Sequence, residues 1–562
     1  MGSRASRTIT KRVALRSSTD IGRTIGFIIL GILLFVHAVS KASAQPASSE
    51  PVCPRPIAGA AVTNPPELRS HNGVLELGLH LRYQRTQISQ GPPRYCYVTD
   101  DGLESPTLRV SPGDQLIIHL HNDLPPDPPN VAKMHAMEAM DRTAECADGP
   151  MNSSSTNLHF HGMTIPAVCH QDDVIHTVVQ AGQSFDYHIT IPTDEPPGLY
   201  WYHPHPHGFS ERQVQGGASG ALIVEGIEKK YPLVASLQQR VIVLRDLQRI
   251  GPEPPGPPVP TWDVSANFVP ITYPDSVPAL LEAPAGRREL WRVVNAASNT
   301  IFDLQLLTNE VAQTLQVLAF DAVPIASQGY LKVRAQDHLV LPPGARAEFV
   351  VTTPAAGQSA KLITQAWATG PDGDNDTRRT IATIETVSDP GRVTQTSPET
   401  RRPETLSTAQ HGPATLQRRL YFSQRSSNVQ DPDSFVLYFI TVDGQSPAPY
   451  KMDTPPNIVT HQGNIEEWTI ENRSQEDHVF HIHQVHFQVL EVDGKLVKDD
   501  SLRDTLDVPY WSGKGPYPSV KLRMDFSGPN TVGTFLYHCH ILKHEDMGMM
   551  GSIEVLPARG VK

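Results

Sequence analysis

The sequence lacks two features that would point to other classes of protein: an excess of basic residues and a long amphipathic helical pattern. Lysine and arginine number 47 against 59 aspartates and glutamates, which gives a formal net charge of −12. An acidic chain binds nucleic acid poorly, so we expect no such partner. The 51 prolines and 39 glycines are typical of short strands joined by many turns.

The most marked apolar run is also too short to span a membrane. It extends from Ile25 to Val39, whereas a membrane-spanning helix needs about 20 apolar residues. Six basic residues precede the run, and Ala42-Ser43-Ala44 follows it, as in a secretory signal. We predict a signal peptide over residues 1–44, export to the periplasm or the extracellular space, and a monomer without membrane insertion. A retained N-terminal anchor is the alternative.

Cysteine is scarce, with five residues in the chain. Cys539 stands among histidines near the C-terminus, whereas Cys53, Cys96, Cys146 and Cys169 all lie in the first third. An even number in an exported chain favours disulfide bonds, which would hold the first domain and its entry segment together. Four cysteines allow three pairings, and the sequence does not choose among them.

The most informative stretch is Tyr537-His538-Cys539-His540, followed by His544 and Met549. On a strand, successive side chains point to opposite faces, so His538 and His540 would face away from Cys539. One short piece of backbone could then serve two metal sites. Cysteine, histidine and a weak methionine thioether are the ligands of a blue-copper electron-transfer site. The alternative is a buried cysteine among core histidines.

Three further clusters favour the metal interpretation. Each contains a His-x-His pair, which places two imidazoles on one face of a strand. They are His159-Phe160-His161, His203-Pro204-His205 and His481-Ile482-His483. His478 has the opposite parity from the third pair, so it is free to join Cys539. The remaining eight imidazoles exceed what one metal ion needs, but they suit a cluster of three.

With all four motifs in this order, the chain resembles the multicopper oxidases, a family that includes laccases and bacterial cuprous oxidases. The segments Leu290–Ala296 and Leu341–Arg346 look like the middle-domain signatures of that family. The resemblance covers nearly the whole chain. It implies an all-β fold of three cupredoxin-like Greek-key β-sandwich domains.

The domains are expected at residues 65–230, 231–390 and 417–558. An extended leader over residues 45–64 would precede the first domain, and a linker over residues 391–416 would precede the third. The middle domain has no His-x-His pair, and we expect it to space the outer domains. The ligands come from opposite ends of the chain, so a three-metal cluster has to form between the first and third domains.

The resemblance also implies four copper ions per chain, one of type 1, one of type 2 and two of type 3. The type 1 ligands would be His478, Cys539, His544 and axial Met549. His159 and His481 would hold the type 2 copper. The type 3 pair would be held by His161, His203, His205, His483, His538 and His540. A reductant would lose single electrons at the type 1 site, and four electrons would reduce dioxygen to water at the cluster.

Reducing dioxygen consumes protons, so carboxylates are expected beside the cluster. Glu545 directly follows His544 and matches a proton-relay glutamate of bacterial relatives. The family usually carries an aspartate after the first motif, in an Asp-Gly context that this chain lacks. Counting back from Gly182 favours Asp172, with Asp173 as the alternative. The alternative is that these acids are solvated loop residues without a catalytic role.

The reductant is the open question, because phenols and cuprous ions are oxidised by the same machinery. Cuprous oxidases often carry a methionine-rich insertion near the third-domain site, whereas here only Met524 lies between Pro509 and Leu536. We therefore expect a laccase-like enzyme, with cuprous-ion oxidase as the alternative. Met134, Met137 and Met140 form a stripe at helical spacing. It indicates either a packed amphipathic helix or a docking site for cuprous ions.

Two other classes fit less well. A copper nitrite reductase is built from two such domains and has no use for eight clustered imidazoles. A copper-free scaffold with the same fold would have lost its ligands, whereas every ligand position is filled here.

Overall fold

The computed structural model describes residues 53–85, 92–127, 146, 150–249, 258–327, 330–388, 412–426, 436–452, 454–499 and 501–559. The predicted signal peptide and the Met134–Met140 stripe lie outside these residues. Within the described ranges, no helix is both long and apolar enough to cross a membrane.

The first sandwich pairs a four-stranded sheet, in the order β3-β2-β5-β7, with a five-stranded sheet, in the order β1-β4-β9-β8-β6. In β2 the leucines at 75, 77, 79 and 81 point inward and alternate with more exposed residues, so period-two patterning builds the core face. The strands are β1 Glu67–Arg69, β2 Val74–Gln84, β3 Arg94–Thr99, β4 Thr107–Val110, β5 Gln115–Asn122, β6 His159–His161, β7 Ser184–Thr190, β8 Gly198–His203 and β9 Gly220–Val224.

The middle sandwich packs a large sheet, in the order β12-β11-β10-β14-β23-β17-β18 with β21 beside β17, on a second sheet. The second sheet has the order β13-β27-β24-β15-β16, with β22 beside β15. The strands are β10 Gln238–Gln248, β11 Trp262–Ala266, β12 Val269–Ile271, β13 Ala279–Pro284, β14 Arg288–Asn295, β15 Phe302–Thr308, β16 Val311–Ala312, β17 Leu315–Phe320, β18 Val323–Pro324, β19 Ala326–Ser327, β20 Tyr330–Leu331, β21 Arg334–Gln336, β22 Leu339–Leu341, β23 Arg346–Thr352, β24 Ala360–Gln365, β25 Trp367–Ala368, β26 Asn375–Asp376 and β27 Arg379–Val387.

The third sandwich pairs the sheet β29-β28-β31-β37-β33-β34, with β35 beside β33, with the sheet β30-β39-β38-β32-β36. The strands are β28 Leu416–Ser426, β29 Val436–Val442, β30 Ile458–His461, β31 Ile465–Asn472, β32 His478–Ile482, β33 Phe487–Val492, β34 Lys495–Leu496, β35 Leu502–Arg503, β36 Thr505–Val508, β37 Ser519–Asp525, β38 Gly533–Cys539 and β39 Met550–Leu556. Three sandwiches confirm the predicted all-β fold class. The domain boundaries at residues 230, 390 and 417 stay predictions.

The α-helices in the described residues are short and lie at the edges of the sandwiches. They are α1 Ser210–Gln215, α2 Ile227–Lys230 and α3 Leu542–Asp546. The Asp546 carboxylate accepts hydrogen bonds from the backbone N–H groups of Ser210 and Glu211, both at 2.9 Å. This contact ties α3 to α1, and hence the third sandwich to the first.

The structure pairs Cys53 with Cys96 and Cys146 with Cys169. The first bond ties the entry segment to β3, and the second reaches the loop that precedes Asp172. Farther along the entry segment, Val62 is buried in the middle core, and its N–H donates to Leu280 O at 2.8 Å. The described part of the predicted leader therefore packs against two sandwiches.

Candidate metal centres

Four strands bring the histidine motifs together. In the first sandwich β6 pairs with β8, so that His159 lies opposite His203. In the third sandwich β32 pairs with β38, so that His481 lies opposite His538 and Phe480 lies opposite Cys539. The eight imidazoles predicted for the cluster are each at most 1 % exposed. The two outer sandwiches therefore meet at one buried group of histidines, as the sequence predicted.

Three of these imidazoles converge through one nitrogen each. His538 Nε2 lies 3.2 Å from His483 Nε2 and 3.4 Å from His205 Nε2. Neutral imidazole nitrogens that approach one another without an intervening proton donor are arranged as metal ligands are. His540 Nε2 similarly lies 3.2 Å from His161 Nδ1 on the other side of the group.

The remaining members each have one nitrogen held and one free. Nδ1 of His159 contacts Asp172 at 2.9 Å, Nδ1 of His203 donates to Pro204 O at 3.0 Å, and Nδ1 of His481 donates to Asp504 O at 2.8 Å. Their Nε2 atoms are buried and have no hydrogen-bond partner. A buried polar atom without a partner is costly. These free lone pairs therefore fit metal ions that bind nitrogen donors.

The second group consists of His478, Cys539 and His544. Cys539 Sγ lies 3.7 Å from Nδ1 of each imidazole, and the two Nδ1 atoms are 3.1 Å apart. The opposite nitrogens are held by Ser474 Oγ at 2.7 Å and by Glu476 Oε1 at 3.1 Å. These two contacts fix the ring orientations and leave both Nδ1 atoms facing the sulfur.

Burial sets the protonation states of both groups. It lowers the pKa of His203 to about 3, that of His205 to about 4 and that of His544 to about 3. The imidazoles are therefore neutral at physiological pH, which is the form that binds metal. Burial also raises the pKa of the Cys539 thiol. A nearby cation is needed to keep that sulfur as the thiolate.

Met549, which the sequence predicts as an axial ligand, lies next to Cys539 in the fold. Its side chain is fully buried in the same core cluster as Cys539, and its carbonyl accepts from Cys539 N–H at 3.0 Å. Gly548 has φ +100, so the chain turns there as expected. Met550 packs in a different cluster, against Val174 and Tyr450.

The predicted acids lie beside the histidine group. Asp172 is buried and contacts His159 Nδ1 through both oxygens, at 2.9 and 3.1 Å, while Asp173 contacts His176 instead. Glu545 Oε2 lies 3.1 Å from His538 Nδ1, and its other oxygen lies 3.7 Å from His205 Nδ1. The structure thus places Asp172 and Glu545 against different histidines of the cluster.

Four polar side chains at these centres escaped the sequence analysis: Ser474, Glu476, Asp504 and Arg346. Asp504 Oδ1 lies 3.2 Å from His161 Nε2, although 343 residues separate the two in the chain. No local spacing signals such a contact. Arg346 was noted only as the last residue of a family signature.

Comparisons with known proteins agree with this geometry. Two family models described as multicopper oxidase match residues 150–229 and 417–559. The multicopper oxidase mco of Staphylococcus aureus is 24 % identical over 87 % of this chain and 90 % of its own. The laccase of Bacillus subtilis is 22 % identical over 83 % of this chain and 91 % of its own.

A solved multicopper oxidase from Campylobacter jejuni, described as a metallo-oxidase, shares the fold with a TM-score of 0.64 and 22 % identity. The match covers 89 % of this chain and 96 % of that one. The two family models thus identify multicopper oxidase domains at both ends of the described chain, and the relatives named multicopper oxidase and laccase are copper-dependent oxidoreductases with dioxygen as acceptor.

Proposed function

We propose that the chain is a laccase-like oxidase that holds four copper ions and oxidises phenolic reductants one electron at a time. His478, Cys539, His544 and Met549 would hold the type 1 ion. His159 and His481 would hold the type 2 ion, and the other six histidines of the cluster would hold the type 3 pair. Copper would supply reversible one-electron transfer at the first site and four-electron reduction of dioxygen at the second.

The chain itself supplies the connection between the two sites. His538 and His540 flank Cys539 directly in sequence, so the backbone of one residue links the sulfur to two imidazoles of the cluster. Phe480 lies opposite Cys539 in the sheet and His481 opposite His538, so both sites sit on one rigid pair of strands. This arrangement excludes water from the path between them, because these residues are fully buried.

The observation that favours phenols is the carboxyl group at His544. Oxidising a phenol to a neutral radical releases one electron and one proton, so the site needs a proton acceptor as well as an electron path. Glu476 is buried and places one oxygen 3.1 Å from His544 Nε2, and its second oxygen accepts a hydrogen bond from the Tyr438 hydroxyl at 3.5 Å, so a proton would reach this carboxyl through Tyr438. Tyr438, which is itself buried, stacks on the same imidazole with ring centroids 4.1 Å apart.

Acidic side chains near this position favour a second candidate, oxidation of cuprous ions. Burial raises the pKa of Glu476 to about 7, with the charge of Lys543 opposing the shift and that of Asp372 adding to it. Burial lowers the pKa of His544, and the charge of Asp374, in the same turn of the middle sandwich, opposes that shift. Carboxylates near His544 would attract a cation. They are hard donors, however, whereas a cuprous ion prefers soft thioethers.

Oxygen consumption with a panel of phenols and with cuprous ion would test the choice. We expect Glu476→Gln to lower kcat/KM for phenols about 10²-fold, because a positioned base is lost, and to affect cuprous ion less. Glu467→Gln, at an acid on the outer sheet that pairs with Lys521, is the matched control. A cuprous ion kcat/KM that exceeds every phenol and falls in the double variant Asp372→Asn, Asp374→Asn would favour the second candidate.

Asp172 is proposed to pass protons to the cluster. Burial raises its pKa well above the ordinary value, which makes uptake of a proton easier than at an exposed aspartate. We expect Asp172→Asn to slow reoxidation of the reduced enzyme by dioxygen about 10²-fold, without loss of the blue colour. Asp173→Asn is the control, because Asp173 contacts His176 and not the cluster. Equal slowing in both variants in stopped-flow reoxidation would contradict the assignment.

Met549 is proposed to tune the type 1 site without being essential. Met549→Leu should raise the reduction potential and keep the blue absorption, because the His478, Cys539 and His544 donors provide most of the binding. Met547→Leu and Met550→Leu serve as controls, and Met550 already packs in another cluster. Redox titration that showed a shift in either control but none in Met549→Leu would make the axial assignment wrong.

A further inference from the structure

A cavity lies between the middle and third sandwiches. Its volume is about 410 Å³, which is within the range of small-molecule binding sites. Strands β17, β21 and β22 contribute to the wall on the side of the middle sandwich, and β33, β35 and β36 contribute to the opposite wall. None of the described residues that line the cavity is a predicted metal ligand. The cavity is therefore distinct from both candidate metal centres.

Aliphatic side chains form part of both walls. The middle sandwich contributes Leu339, Val340 and Pro342, and the third sandwich contributes Val489 and Leu506. Leu339 and Val489 are buried, and each belongs to the core of its own sandwich. Apolar walls of this kind bind the hydrocarbon body of a small organic molecule, because its removal from water is favourable.

Three buried polar atoms in the same walls have no hydrogen-bond partner in the part of the chain that the structure describes. They are Gln336 Oε1 on β21, Arg503 Nε on β35 and Asp507 Oδ1 on β36. A buried polar atom without a partner is costly, so such atoms need an explanation. Three of them around one cavity indicate an occupant that forms hydrogen bonds with both sandwiches.

The charges around the cavity favour an anion as that occupant. The guanidinium groups of Arg503 and Arg334 lie 4.1 and 5.7 Å from the centroid of the Phe320 ring. Both cations share one carboxylate, that of Asp499. Arg334 Nη2 donates to it at 2.8 Å, whereas Arg503 Nε lies 3.7 Å away, too far for a hydrogen bond. Lys498 is exposed and adds a third positive charge.

Asp507 does not cancel this excess of positive charge. Burial, together with the charge of nearby Asp477, raises the pKa of the Asp507 carboxyl well above its ordinary value. It therefore repels an anion less than an exposed aspartate would. The oxygens of Asp507 and Gln336 can instead accept a hydrogen bond from a hydroxyl group.

We propose that this cavity binds a small hydroxylated organic acid. The carboxylate of the acid pairs with Arg503, its hydroxyl group donates to Asp507 or Gln336, and its hydrocarbon body packs between the aliphatic walls. The ligand is bound and not oxidised here, because no predicted ligand of the Cys539 site reaches the cavity. The proposal is independent of the copper assignment.

Calorimetric titration of the purified protein with three matched compounds tests the ligand class. The full ligand is para-hydroxymethylbenzoate, which is not a phenol. The para-methylbenzoate ion lacks the hydroxyl group and should bind about 3- to 10-fold more weakly. The neutral para-hydroxymethylbenzamide lacks the charge and should bind about 10- to 100-fold more weakly. The proposal is overturned if the amide binds as tightly as the acid, or if no compound gives saturable binding.

Two variants assign the contacts to residues. Arg503→Gln should weaken binding of both acids about 10- to 100-fold and leave the affinity for the amide unchanged. The double variant Gln336→Met, Asp507→Leu should remove the preference for the hydroxylated acid, because it removes both acceptors.

Arg419→Gln is the matched control, because it removes the same charge from the outer strand β28. Arg419 pairs there with Glu471 at 3.0 Å, and the change should leave binding of all three compounds as in wild type. Equal affinity in Arg503→Gln and wild type, or an equal loss in Arg503→Gln and Arg419→Gln, would contradict the site.

A crystal structure of wild type with para-hydroxymethylbenzoate gives an answer that does not depend on how the variants fold. The acid is expected between Arg503 and Leu339, with its carboxylate on the guanidinium. Ordered water alone in the cavity, or the acid bound elsewhere, would overturn the inference.

Discussion

Replacing Cys539 by serine is expected to remove the blue colour and to abolish oxidase turnover, while the histidine cluster keeps its copper. Cys539 Sγ lies 3.7 Å from Nδ1 of both His478 and His544, and it accepts a hydrogen bond from Val479 N–H at 3.3 Å. A hydroxyl is a hard, weakly acidic donor that cannot replace a soft thiolate. The variant should therefore bind one copper ion fewer than wild type.

The loss is expected to be local because serine fits the space of cysteine with little change in volume. Metal analysis, the visible spectrum and oxygen consumption together check the prediction, with the thermal unfolding temperature as the control for folding. Blue absorption that persisted in Cys539→Ser would be incompatible with the assigned thiolate. Wild type that is fully active with only one or two copper ions would refute the whole copper assignment.

Local patterns were enough to predict the strands that carry the clustered histidines and Cys539. Alternation on β38 and β32 separates His538 from Cys539 and His478 from His481, and the structure places each on its predicted side. These signals are strong because the period of a strand is two, so adjacent residues serve different faces. The same periodicity, together with the resemblance of the copper motifs to those of multicopper oxidases, predicted the two-sheet sandwiches.

Contacts that depend on how the sandwiches pack could not be predicted in this way. Asp504 is near His161 only because β36 lies beside β32 at the interface of the outer sandwiches. Glu476 reaches His544 across a loop, and no spacing in the sequence relates the two. The sequence did favour Asp172 over Asp173, by counting back from Gly182, and in the structure these adjacent carboxyls contact different histidines.

The second large loss of turnover is expected on replacing Glu545, in helix α3. Its Oε2 lies 3.1 Å from His538 Nδ1, and its other oxygen lies 3.7 Å from His205 Nδ1. A carboxylate thus lies between the cluster and α3, fully buried, where it can receive and release protons. Glu545→Gln keeps the size of the side chain but cannot carry a proton.

Turnover of Glu545→Gln should fall about 10²- to 10⁴-fold, the usual contribution of a positioned acid or base. Because electrons still enter while dioxygen reduction stalls, the variant should stay bleached in air with excess reductant, whereas wild type regains its colour. Asp546→Asn is the control: Asp546 holds the Ser210 and Glu211 N–H groups of α1, so its loss should lower the unfolding temperature but not block reoxidation. Copper analysis decides the remaining case, since a Glu545→Gln enzyme that lost cluster copper would show that Glu545 orients His538 and does not relay protons.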